Sequence, residues 1–242
     1  MLGILSGILR LFDNRPETGE AGLYQKTCPE MVIYKVRGRS SETNRIRTEV
    51  IVRVLPFDTE TIYSDPAFTE IVSIQKVDPE PPTLSQIKYA EDLGLRLPDG
   101  CGKRDASCLI TRKLQDEDED DKISVHPSLA EFAATNGVFL STYCGERRAL
   151  DEVWRKLSDQ KRLEFLVFCI HQSIKGKVFY NMDKDINLPL YTKFAEVHSE
   201  NMKLLRSVSN YRGSDLSLKR KPNNNRNAYI IAQNYLFENN AI

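Results

Sequence analysis

The 242-residue sequence has no excess of either charge, since 34 Lys and Arg balance 34 Asp and Glu. A globally polycationic surface is excluded, and any case for a polyanionic partner rests on local patches. Cysteine is sparse and unpatterned. Cys28, Cys101, Cys108, Cys144 and Cys169 contain no C-x-x-C pair and no zinc-ribbon spacing. Neither a disulfide framework nor a structural zinc is therefore expected, and reduced thiols in a cytoplasmic compartment fit the count.

Long apolar runs are missing too. The most apolar stretch, MLGILSGILRLF, falls short of the ~20 residues a membrane-spanning helix needs, so integral membrane insertion is not expected. It has no basic flank and no small-residue cleavage site, which argues against a secretory signal. On a helical wheel Leu2, Leu5, Leu9 and Phe12 form one stripe, predicting an amphipathic helix over 1–12 that docks on its own protein or a second copy, with a protein partner or a membrane surface as the alternative.

Catalytic and cofactor signatures are equally scarce. The chain contains no G-x-S-x-G, H-E-x-x-H, G-x-x-x-x-G-K-[ST] or G-x-G-x-x-G. Asp183, Asp185 and Asn187 open like a calcium loop, but Leu188 stands where the turn needs glycine and Phe194 where the bidentate glutamate belongs. Cys144 with His171 or His198 has no spacing that demands a thiol nucleophile. No cofactor, no metal and a non-enzymatic role are the expectation.

What is present is an α+β arrangement in series. Residues 13–30 carry turn formers and predict a linker. A β-rich module follows over 31–77: MVIYKVRG and IRTEVIVRVL form a hairpin about the polar SSETNR, and FTEIVSIQKV supplies a third strand. The prolines of DPEPP, within 78–82, predict a semi-rigid boundary. Over 83–114 two short helices are expected. Thr83 and Gln86 have capping-box spacing, Leu84, Ile87, Ala90 and Leu93 share one face, and Gly94 stands at the C-terminal cap. A second helix from Arg104 to Leu114 offers Ala106, Leu109, Ile110 and Leu114 as its buried side. The acidic run Asp116–Asp121 makes 115–126 a solvated linker. From 127 to 242 the periodicity is helical throughout, with the segment after Ser158 apolar nearly all round and therefore central.

The helix pair with its extended crossing, in which Gly102 and Lys103 open the second helix and Ile110, Arg112 and Leu114 close it, resembles a SAP-type helix-extended-loop-helix module. Members of that family commonly bind DNA or RNA. The resemblance covers about 32 residues, and Leu109 falls later in the second helix than the family pattern has it. It implies that Lys88, Lys103, Arg104, Arg112 and Lys113 meet phosphates. A second basic cluster, Lys219, Arg220, Lys221 and Arg226, lies near the C-terminus, with Tyr211 and Tyr229 beside it, a composition suited to single-stranded nucleic acid. The expected function is that of an accessory protein contacting nucleic acid or a complex that processes it. An interaction adaptor or inhibitor with no nucleic-acid contact is the alternative, and an enzyme of unrecognised type the third.

Overall fold

A computed structural model describes residues 24–114, 123–175, 189–204 and 227–242. The N-terminal amphipathic segment, the acidic run, the calcium-like Asp183 motif and the basic cluster 219–226 lie outside the described residues. The fold is α+β, a three-stranded antiparallel sheet followed by helices. Among the described residues no helix is long and apolar enough to cross a membrane.

Strands β1 (Met31–Ser40) and β2 (Ile46–Val54) form the expected hairpin, and β3 (Phe68–Val77) pairs on the far side of β1, giving the order β2-β1-β3. The central strand alternates cleanly. Val32, Tyr34 and Val36 point to one face, where Ile51 from β2, Phe68 from β3 and Ile62 from the 3₁₀ turn Thr59–Ser64 close a small apolar core. That turn starts at Asp58, whose carboxylate accepts from the Glu60 amide at 3.0 Å. Register shifts between Arg37 and Gly38 and again between Arg39 and Ser40 mark a bulge opposite β3. Gly38 sits there because a Cβ would lie 2.5 Å from the Glu70 carbonyl oxygen and 2.6 Å from the Phe68 ring.

Helices α1 (Leu84–Asp92) and α2 (Lys103–Leu114) follow. Thr83 and Gln86 form the capping box, and Gly94 takes φ +66° just beyond the helix end. The buried sides differ from expectation. Ala90, Ala106, Leu109 and Ile110 are inside, but Leu84 is 85% exposed and Leu114 52% exposed, with no other element among the described residues reaching over these helix ends.

The remaining helices are α3 (Pro127–Thr135), α4 (Glu146–Lys156), α5 (Asp159–Ile174), α6 (Pro189–His198) and α7 (Asn227–Glu238). Helix α5 is central, as its all-round apolarity implies. Phe165 stacks on Phe132 and lies near Trp154, Phe168 meets the edge of Tyr191, and α6 and α7 both pack on α5. His171 is part of this core, its ring nitrogens 2.8 Å from the Tyr191 hydroxyl and 3.1 Å from the Ala241 carbonyl.

The three modules are not separate in space. A single apolar core takes Met31, Val52 and Val54 from the sheet, Ala90, Leu109 and Ile110 from the helix pair, and Leu129, Leu150 and Phe165 from the C-terminal helices. Helix α3 lies directly on β2. The segments expected to be linkers take part. Thr27 and Cys28 donate their amides to the Thr142 carbonyl at 2.9 and 3.0 Å, and the Thr27 carbonyl accepts from Val125 at 2.6 Å. The proline-rich boundary is pinned as well. The Glu80 carbonyl accepts the Lys103 amide at 2.7 Å, and Pro79 packs against Gly102, where a Cβ would come within 3.0 Å. Prolines resist helix and sheet, but an extended segment can still dock through its carbonyls and rings.

Candidate functional site

The helix pair presents its cations on two different sides. Lys88 on α1 and Lys113 on α2 are exposed. Lys103 and Arg104, in the first turn of α2, border a cleft of about 550 Å³ between the end of the sheet, the Pro79–Glu80 segment, α2 and α4. Lys103 reaches Glu80 at 3.2 Å in an exposed ion pair. Arg104 donates to the Phe139 carbonyl at 2.6 Å, with its guanidinium 5.7 Å from the centre of the Phe139 ring.

Arg112 does not belong with them. It is 9% exposed and donates through Nη1 to the carbonyls of Gln25 at 3.1 Å and Tyr143 at 3.4 Å. The guanidinium joins the N-terminal segment to the loop before α4 and is not available to a phosphate. At seven positions after Asp105, the periodicity of α2 turns Arg112 toward the core, and acceptors such as these carbonyls make that tolerable. Lys219, Arg220, Lys221 and Arg226 lie outside the described residues.

The cleft holds a feature the sequence did not point to. Cys108 lies at its wall, and the Ser141 hydroxyl beside it donates to Asp105 at 2.6 Å. A hydrogen bond from the Cys144 thiol, with the Arg148 guanidinium and Ser141 nearby, lowers the Cys108 pKa against the opposing effect of burial. Cys144 is correspondingly raised by that same bond and by burial. Cys28 is pushed up to about 12 and Cys101 to about 11, in both cases by burial first. Spacing in sequence, 36 residues between Cys108 and Cys144, offers no signal for this pairing. The cleft's charges are mixed: Arg148 and Arg104 both approach Glu152, at 3.5 and 3.9 Å. Among the described residues no group of three or more His, Cys, Asp and Glu is placed to hold a metal ion.

Two further cations were not singled out from the sequence. Lys35 and Arg37 stand exposed on β1, the central strand of the sheet, and alternation in MVIYKVRG is the signal that exposes them. Comparison with protein-family models, with characterised proteins and with solved structures returned no match.

Proposed function

We propose that the protein is a non-enzymatic accessory factor that contacts nucleic acid, or a complex that processes it, through the helix pair of residues 83–114. One observation carries the reading. Lys88, Lys103, Arg104 and Lys113 project to solvent from two helices whose other sides are anchored in the main core. Cations on a fixed frame bind polyanions without first paying the entropy of ordering a loop. The Lys103–Glu80 pair does not oppose this, because an exposed ion pair is worth only ~0–1 kcal/mol and yields readily to a phosphate. By composition the 219–226 cluster adds Lys219, Arg220, Lys221 and Arg226 to the same electrostatic attraction.

The test is binding of labelled DNA and RNA as salt is raised from about 20 to about 300 mM. Each phosphate neutralised contributes roughly 0.7–0.9 to the log-log slope, so replacing Lys88, Lys103 and Lys113 by Gln flattens it by up to about 2–3. Arg112→Ala behaves differently, lowering stability by ~1.5–3 kcal/mol with the slope unchanged. A wild-type protein that retains no nucleic acid at the lowest salt overturns the proposal. The adaptor reading then takes its place, and the specific observation in its favour is the exposure of Leu84, Ile87 and Tyr89 on α1.

A further inference from the structure

The open face of the sheet is built by alternation and strand register. On β1 the residues Ile33, Lys35, Arg37 and Arg39 share this face, opposite the one that covers Ile62. Their cross-strand partners are Val52, Val50, Thr48 and Ile46 on β2 and Val77, Gln75, Ser73 and Glu70 on β3. Half of the face is closed. Val52 enters the main core with Ile33 packed against it, while Ile33 and Val77 line the cleft. The other half faces solvent.

On that exposed half the charge is one-sided. Glu70 is held by Arg39 at 3.3 Å, and Lys35 and Arg37 have neutral neighbours on both sides, with no ion pair among the described residues. Two like charges in successive positions of one face, with no carboxylate opposite, repel each other weakly in a free sheet. An arriving anion relieves that repulsion. Their spacing along the strand is ~6.6–6.8 Å, and three strands make a platform only ~10 Å across. Such a surface matches a single row of phosphates, and a duplex, whose groove can also admit strands, is the competitor that the experiment separates. Val50, exposed beside Lys35, offers an apolar surface to sugars or bases, while Thr48, Ser73 and Gln75 offer hydrogen bonds. Continuing along the face past Ile33 leads into the cleft, whose lining carries Lys103, Arg104 and Arg148 together with Asp78, Glu80, Asp105 and Glu152, so the cationic path is the open half of the sheet itself.

We propose that the open sheet face, with Lys35 and Arg37 as its phosphate contacts, binds the backbone of a single-stranded nucleic acid. The inference rests on the nucleic-acid reading above and names the surface and strand state that it uses.

The experiment measures fluorescence anisotropy of a labelled 20-nucleotide oligothymidylate, and of a duplex of equal length, with the full-length protein. Lys35→Gln with Arg37→Gln is expected to weaken binding of the single strand at least about tenfold at low salt, and to reduce its salt slope by roughly 1.4, two contacts at 0.7 each. The duplex should be affected less. Lys156→Gln with Lys175→Gln removes the same charge from exposed positions at the end of α4 and just past the end of α5 and should leave the affinity within about twofold. In the unmutated protein, bound oligonucleotide should protect Lys35 from acetylation, a readout independent of any variant's folding. If the wild-type chain binds the oligonucleotide while Lys35 stays fully reactive, or the sheet variant binds as tightly as the control variant, this surface is wrong and the nucleic-acid reading stands without it. If the wild-type chain binds no nucleic acid at all, both fall.

Discussion

Burial pushes the Cys28 thiol up to about 12, and the nearby Cys108, Glu152 and Asp105 act in the same direction. The native state therefore keeps this proton at pH values where the unfolded chain, titrating near 9, has lost it. A raised folded pKa contributes stability that is full below the unfolded value and is lost as pH rises toward the folded one, at about 1.4 kcal/mol per pH unit for one proton. Urea unfolding followed from pH 8 to 11 should show that decline, and Cys28→Ala should make it shallower by about that slope. Parallel profiles for the two proteins would show that burial of this thiol does not control the alkaline limb. Arg112 teaches a related lesson about single side chains. Its neighbours in sequence, Thr111 and Lys113, gave no indication that Gln25 and Tyr143 would receive it, because those acceptors are 87 and 31 residues away.

Elements were legible wherever their cause is local. The capping box at Thr83 and the strand at MVIYKVRG depend on residues a few positions apart, and both are present in the structure. Which face of an element is covered depends on what arrives from elsewhere. Leu84 and Leu114 obey helical periodicity and remain exposed, whereas α5 is central because apolarity on every side leaves it no solvent face. Gly38 belongs to this scale, since its reason is the neighbouring strand. With Glu70 and Phe68 inside the space of a Cβ, Gly38→Ala should destabilise the protein by ~1–3 kcal/mol, the usual cost of overpacking. Thermal melts check this. A change within a few tenths of a kcal/mol would mean that the β1–β3 bulge relaxes freely.

For the whole molecule, the shared core makes a prediction about fragments. Residues 123–242 alone would expose the surfaces that Met31, Val54, Leu109 and Ile110 cover. Losing the burial of two or three such side chains costs several kcal/mol, at ~1.5–3 kcal/mol each. The isolated fragment should melt at least about 6 °C below the full chain, taking ~2–4 °C per kcal/mol, or show no sharp transition. A fragment as stable as the whole would restore the three-module division.

Composition, periodicity and caps determined the α+β class, the hairpin, the helix pair and the central helix, because each follows from interactions within a dozen residues. The candidate site was half legible by the same rule. Lys88, Lys103, Arg104 and Lys113 are exposed as expected and Arg112 is not, while the exposure of Lys35 and Arg37 follows from alternation but their lack of a carboxylate neighbour only from the strand register. Tertiary structure alone decided that segments resembling linkers are docked, that Cys108 and Cys144 meet, and that one core crosses every apparent boundary. Those outcomes depend on contacts between residues tens of positions apart, and hydrophobic burial, being non-directional, records in sequence that a face must be covered without recording by what.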